Sequence, residues 1–176
     1  MKSFLFLVIF LYDKVEMVSD KGGYKMAAFK VEKLRVNYKT LEEFKKFKEY
    51  GLQELSMLED LQANIMEDDI ESPFYGIYYG DKLVARMSLY RVDQKEDKYF
   101  NPPQEYLELW KLEVLADYQQ KGFGKALVEY AKGYNLPIKT NPRIKSAEFW
   151  SKMDFVPVEY DMERDFGANP LVWYPN

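Results

Sequence analysis

From Phe29 onward, apolar and polar positions recur with a period that changes along the chain. In FKVEKLRVNY (29–38) the period is two, which predicts a strand. Thr40, with Glu43 three residues later, reads as a capping box opening a helix over 40–51 that stops at Gly51. In LQELSMLEDLQANIMEDD (52–69), Leu55, Leu58, Leu61 and Ile65 fall on one helical face, and Pro73 ends the region. FYGIYYG (74–80), a Gly80-Asp81 turn and KLVARMSLYRV (82–92) predict a hairpin. A polar loop, QKEDKYFNPP (94–103), leads to a further strand in EYLELWKLEVL (105–115). Phe123, Ala126, Leu127, Tyr130 and Ala131 return to helical spacing, ended by Gly133. LPIKT (136–140) predicts a strand, PRIKSAEFWSKM (142–153) a helix, and DFVPVEY (154–160) and PLVWY (170–174) two late strands. The order β-α-α-β-β-β-α-β-α-β-β predicts an α/β (α+β) domain over 29–176, with a single mixed central sheet flanked by helices.

The first residues do not fit that pattern. SFLFLVIFLY (3–12) is apolar and follows Lys2, but DKVEMVSDK comes after it where a signal peptide would carry a small-x-small site. It is also short of the roughly 20 residues that a membrane span needs. KGGYKM (21–26) back-translates as a purine-rich bacterial ribosome-binding site placed before a start codon. Residues 1–25 are therefore expected to be translated leader, with Met26 as the start; a weak anchor or a buried strand are the other readings of the segment. No stable membrane insertion is expected.

Composition narrows the chemistry. With 47% apolar and 17% aromatic residues, the 176-residue chain is long enough to bury a core in one domain. A net charge of −4 without a long basic run argues against a nucleic-acid partner. The chain contains neither cysteine nor histidine, which removes Cys and His nucleophiles, His bases, thiolate zinc sites and disulfides; no metal is expected. Carboxylates, Lys, Tyr, Ser, backbone dipoles and water remain.

The richest motif is QQKGFGKAL (119–127), between a strand and a helix. A Walker loop fails here, because Ala126 follows Gly124-Lys125 and Gln119 stands where the first glycine belongs. A dinucleotide fingerprint fails as well, with Leu127 at its third glycine. Gln119-Gln120-Lys121-Gly122-Phe123-Gly124 does match [QR]-x-x-G-x-[GA]. Glycines let an anion approach the backbone, and N–H groups at a helix N-terminus converge on it. The other reading of these residues is a glycine turn into a core helix.

LWKLEVLADYQQKGFGKALVEYAK (109–132) resembles motif A of the GNAT N-acetyltransferases, with Leu112, Val114 and Tyr118 at the family's places before the loop. SAEFWSKMDF (146–155) is similar to the family's later A-x-x-x-[YF]-x-x-x-G-F element, and the likeness is greatest to small members from low-GC Gram-positive bacteria. The resemblance implies acetyl-CoA as co-substrate and direct acetyl transfer to a primary amine in the cytoplasm. It implies that the backbone of Gln119, Gln120, Lys121, Gly122, Phe123, Gly124, Lys125 and Ala126 holds the pyrophosphate. The Leu112–Val114 edge would pair with the pantetheine arm, and the Leu112 N–H would stabilise the oxyanion.

An amine must lose a proton to attack and form an amide. By the two-residue period, Glu108, Trp110, Leu112 and Val114 are expected on one face of their strand and Glu113 on the other. The histone-acetylating branch of the family uses a glutamate six residues before the strand's last valine, which implies Glu108 as base, with Glu113 next. The alternative for either is an exposed strand carboxylate. Trp150 stands where the family has its proton-donating tyrosine. Either another hydroxyl serves or the thiolate, of pKa about 8.5, leaves unassisted, and Trp150 is expected to cover the pantetheine. Glu59, Asp60, Glu67, Asp68, Asp69 and Glu71 suggest a cationic acceptor, or an ordinary solvated face; Tyr75, Tyr78 and Tyr79 suggest a pocket lining, or packing. Two rival readings are an acetyl-CoA-binding or protein-interaction module without turnover, and a membrane-associated protein tethered by residues 3–12. Strand edges and apolar content also permit a homodimer.

Overall fold

Turn chemistry sets the frame of the sheet. Gly80 adopts φ +60°, a left-handed conformation open to glycine without a Cβ clash. It folds β2 (Phe74–Tyr79) back on β3 (Lys82–Val92) as an antiparallel hairpin. The computed structural model describes residues 29–47, 56–67, 71–142 and 146–175. The 1–25 segment, Met26, Gly51, Leu55, Asp68 and Asp69 lie outside these described residues.

β1 (Glu32–Lys33) pairs with β2, and β4 (Tyr106–Val114) lies antiparallel to β3. α3 (Phe123–Lys132) carries the chain over to β5 (Ile138–Thr140), which is parallel to β4. β7 (Leu171–Trp173) and β6 (Val156–Pro157) finish a seven-stranded sheet in the order β1-β2-β3-β4-β5-β7-β6. The mixed sheet and the element order agree with the expected fold. Among the described residues no helix is long and apolar enough to cross a membrane.

Each face of the sheet buries its own core. On one face Ala85, Met87 and Leu89 of β3 and Leu107 and Leu109 of β4 pack with Phe123, Leu127, Val128 and Ala131, the apolar stripe of α3. Trp150, from α4 (Ala147–Lys152), joins this cluster. On the other face Phe74 and Leu83 meet Leu41 and Phe44 of α1 (Tyr38–Phe44) and Met57 and Leu61 of α2 (Met57–Glu67).

Several boundaries differ from expectation, each for a local reason. The first strand covers only Glu32–Lys33, because Asn37 starts α1: its side-chain oxygen accepts the Thr40 N–H at 2.9 Å. Thr40 is therefore the third helical residue, and it is buried rather than capping. The capping box belongs to α2, where the Ser56 hydroxyl accepts the Glu59 N–H (3.0 Å) and the Glu59 carboxylate accepts the Ser56 N–H (2.7 Å). A short α5 (Met162–Asp165) was not expected; Asp161 caps it by accepting the Glu163 and Arg164 N–H groups.

One buried cation holds α1 to the sheet. Arg86, fully buried in the middle of β3, donates to the Phe44 carbonyl at the C-terminal end of α1 (3.2 Å). Its guanidinium lies 4.4 Å from both the Phe44 and Phe47 rings and is ion-paired to Glu113 of β4 (Nη2–Oε2 2.5 Å). A cation satisfies orphan carbonyls at a helix C-terminus. Removing it leaves Glu113 and the carbonyl unmatched and opens a void. Arg86→Ala is expected to lower unfolding free energy by about 3–5 kcal/mol in urea denaturation; a loss below about 1 kcal/mol, the range of a surface ion pair, would contradict this anchoring.

Candidate active site

The site begins where two strands part. β4 and β5 stay in register through Leu107↔Ile138, Glu108↔Lys139 and Leu109↔Thr140. β5 then ends, while β4 runs on from Trp110 to Val114. Beyond that point the Leu115 N–H donates to the Val84 carbonyl of β3 at 2.9 Å. Antiparallel alternation then turns the peptide groups of Leu112 and Val114 away from β3, into the split. Among the described residues no strand pairs with this stretch on its β5 side.

A bulge sits at the head of the split. Ser88 pairs with Lys111 but Leu89 with Leu109, so Trp110 is the extra residue. The bulge reverses the alternation. Leu112 and Val114 rejoin the α3 side with Leu107 and Leu109. Glu108, Lys111 and Glu113 lie opposite Tyr90, Ser88 and Arg86, on the side of α1 and α2. This corrects the expected arrangement: Glu108 and Glu113 share a face, and Leu112 and Val114 occupy the other. An extra residue shifts every later side chain across the sheet, and strict period two does not foresee it.

The glycine loop lies against the same edge. After Val114 the chain makes a 3-10 turn, Ala116–Tyr118, and the Gln119 side-chain amide donates back to the Val114 carbonyl at 3.1 Å. Gln120 (φ +60°) and Gly122 (φ +90°) are left-handed, and α3 starts at Phe123 without a side-chain cap. Ala126 N–H closes the first helical turn on the Gly122 carbonyl. The N–H groups of Phe123, Gly124 and Lys125 precede it and have no intrahelical acceptor. N–H groups so placed, with the positive end of the helix dipole behind them, can hold an anion. Phe123 contributes only its backbone, since its ring is buried and stacked on Phe29. Lys125 is exposed, and Lys121 is turned back onto the Asp117 carbonyl at 2.8 Å.

Gly124 joins loop and edge. A Cβ built there would lie 3.4 Å from the Phe149 ring and 3.6 Å from Leu112. Strand, helix N-terminus and α4 therefore converge on one position. The ring at this point is Phe149, and Trp150, its neighbour, lies in the core. Trp150 is buried in the core, edge to face with Phe155, with its indole N–H donated to the Ser146 hydroxyl (3.1 Å). The half-buried aromatic beside the split is Phe149, whose spacing within α4 was the available signal.

Beside the split, the opposite face of β3, β4 and β5 is polar. Glu108 is paired with the buried Lys139 (2.5 Å), and Glu113 with Arg86. The signal for both cations is a charged residue at an interior position of its strand, Arg86 in β3 and Lys139 in β5. Glu59 is held low by the Ser56 hydrogen bonds of its capping box. Asp60, half-buried beneath α2, accepts a hydrogen bond from the Tyr90 hydroxyl. Burial pushes its carboxyl above the usual range, against the lowering effect of Tyr90 and Lys111. Tyr90 in turn meets Trp110 edge to face, with centroids 6.2 Å apart. Of the three tyrosines considered for a pocket, Tyr75 is core and shares a hydrogen bond with Tyr134. Tyr78 packs into the α1–α2 core, and Tyr79 is exposed beside Tyr118.

A sheet split after a bulge, with a glycine-led helix aimed at the open edge, defines an acyl-CoA-type acetyltransferase fold, and the chain belongs to the acetyltransferase (GNAT) family, whose family model matches residues 37–136. It is 69% identical over 147 residues to the uncharacterized N-acetyltransferase YlbP of Bacillus subtilis (strain 168), spanning 84% of this chain and 92% of that protein. It is 65% identical over 150 residues to an uncharacterized N-acetyltransferase of Halalkalibacterium halodurans, spanning 85% and 89%. Among solved structures it superimposes on the B. subtilis YlbP protein in complex with coenzyme A, with TM-score 0.72 over 84% of this chain and 97% of that one. The Arabidopsis thaliana Naa50 structure, at 14% identity and TM-score 0.56 over 84% and 99%, shares the fold alone.

If the loop binds through its backbone, side chains placed there should interfere. Gly124→Leu would fill the gap to Phe149 and Leu112, and Gly122→Val would strain a left-handed residue. Each is expected to weaken CoA binding about ten-fold or more in calorimetric titration, the worth of one charge-assisted hydrogen bond. Affinity within two-fold of the parent in both folded variants would show that the loop is only a turn.

Proposed function

We propose that this protein transfers acetyl from acetyl-CoA to a primary amine by direct attack, without an acyl-enzyme intermediate. The observation that carries the reading is the open edge at Leu112 and Val114 beside the N-terminal turn of α3. In this reading the pantetheine arm adds to β4 as a strand would, and the pyrophosphate sits on the N–H groups from Gln120 to Lys125. Gln119 holds the loop against the edge through Val114. Phe149 covers the split from α4, and Trp150 supports Phe149 from the core.

The chemistry follows from the edge. With the thioester at the bulge, the Leu112 N–H points at its carbonyl oxygen and stabilises the negative charge that develops on attack. The nitrogen–carbon bond forms, the carbon–sulfur bond breaks, and the sulfur leaves with its electron pair. The absence of cysteine and histidine from the chain agrees with a mechanism that needs no protein nucleophile. Glu108 and Glu113, each bound to a buried cation, serve as struts that fix β4 against Lys139 and Arg86. The acceptor enters from the α1–α2 face, where Glu59 and Asp60 favour a cationic amine. The reaction belongs to the cytoplasm, where acyl-CoA is available.

Incubation with acetyl-CoA and a panel of spermidine, L-lysine and a peptide amino terminus tests the reading. The expected result is one acetyl group added to an amine, seen by mass spectrometry, with an equal amount of CoA thiol released. Folded protein that binds CoA but acetylates none of these amines would contradict it.

A further inference from the structure

The amine must shed a proton, and among the described residues Glu108, Glu113 and Asp60 bring carboxylates to the polar side of the split. Two of them are tied to cations buried more deeply than themselves: Glu108 to Lys139 at 2.5 Å, and Glu113 to the fully buried Arg86 through Nε and Nη2. The third differs in its partners. Asp60 projects from the first turn of α2 and accepts the Tyr90 hydroxyl hydrogen bond and, at 3.4 Å, the Asn64 side-chain amide. Both donors are neutral. Tyr90 is the cross-strand partner of Glu108 and touches the ring of Trp110, the residue that makes the bulge. Lys111, the next residue, lies with its ammonium 4.2 Å from the Trp110 ring centroid. Asp60 thus stands over the head of the split, on the side opposite Leu112, Gly124 and Phe149.

We propose that Asp60 is the group that takes the proton from the acceptor nitrogen, and that Tyr90 is the positioning residue that holds its carboxylate beside the bulge. This deepens the acetyl-transfer reading and rests on it. The donor enters on the α3–α4 side of the split, and the acceptor meets it from the α1–α2 side. Attack gives a tetrahedral adduct with a protonated nitrogen. Collapse breaks the carbon–sulfur bond, the electron pair leaves on sulfur, and the nitrogen's proton passes to Asp60, whose exposed half returns it to water. Before attack, the same charge draws a cationic amine to the site, where its ammonium proton passes to Asp60 and on to water, so that the neutral nitrogen attacks.

Folding energetics point the same way. Among the described residues, Tyr90 from β3 and Lys111 from β4 act on Asp60, with Glu59 its neighbour on α2 and Glu108 paired across the strands with Tyr90. Burial outweighs Tyr90 and Lys111, so the carboxyl is raised in the folded protein. The folded state then binds more protons than the unfolded chain between the two pKa values, and stability falls as pH rises through that interval. Above it, the ionised Asp60 weakens the fold. A half-buried carboxylate raised by desolvation beside a cleft is a functional-site candidate.

The test is the pH profile of kcat/KM for acetyl transfer to spermidine, with CoA affinity measured alongside. Wild type should show an acid limb above the ordinary carboxylate range. Asp60→Asn should lose that limb and drop kcat/KM by about 100-fold or more. Its CoA dissociation constant should stay within two-fold, and its melting temperature at pH 7 should not fall. Tyr90→Phe removes a bond that lowers the Asp60 pKa, so the limb should move to higher pH, a displacement that a merely structural tyrosine would not cause. An acid limb that survives in Asp60→Asn, or activity within three-fold of wild type, overturns the proposal. The 13C carboxyl resonance of Asp60 reads the same geometry without turnover, whichever amine is used. It should shift when acetyl-CoA replaces CoA; an unmoved resonance in a protein that binds both also overturns the proposal. Loss of CoA binding by the wild-type protein would instead remove the transfer reading itself.

Discussion

Backbone groups that leave a sheet unpaired need other partners, and the parting of β4 from β5 after Leu109 creates a row of them in the middle of the fold. Everything else at the site is arranged around that gap. The bulge at Trp110 turns the strand so that Leu112 and Val114 reach the α3 side while their peptide groups face the opening. Gln119 occupies one carbonyl of the edge and brings the glycine loop with it. Gly124 allows α3 to start close enough that Phe149 and Leu112 meet across it. An edge left open inside a sheet is a binding site for something that can act as a strand, and a thioester arm with amide groups has that character.

The two faces divide the labour. The α3–α4 face is apolar and carries the N–H groups at the uncapped start of α3. The α1–α2 face carries Arg86, Glu113, Glu108, Lys139, Tyr90 and Asp60, an unusual density of polar side chains beside strands that pack a core on their other side. Arg86 fixes the end of α1, and Lys139 fixes Glu108, so the face is rigid where the bulge needs support. Asp60 differs in taking its hydrogen bonds from the neutral donors Tyr90 and Asn64.

Much of this was legible in the sequence because it depends on local signals. The hairpin at Gly80-Asp81, β4 as YLELWKLEV, and α3 from its apolar spacing all follow from periodicity and turn residues. The glycine loop could be read because its chemistry is carried by backbone. What periodicity could not show was the extra residue at Trp110, since a bulge is decided by register between strands and leaves no mark in one strand alone. That single residue placed Glu108 on the face opposite Leu112. The start of α1 at Asn37 was hidden by a competing Thr40–Glu43 pair, and the Ser56–Glu59 box lay inside a stretch already read as helix. Phe149 and Trp150 are neighbours whose roles are separated only by packing: one ring faces Phe155, the other Gly124.

In the proposed reading, acetyl-CoA is held by backbone amides at one strand edge and one helix N-terminus. Amide hydrogen exchange, followed residue by residue by NMR with and without acetyl-CoA, reads those amides directly. Slowed exchange is expected at Leu112, Val114 and Gly122–Lys125, with little change at the paired amides of β2 and β3. Binding that leaves those amides unprotected, or protects a different surface, would contradict it.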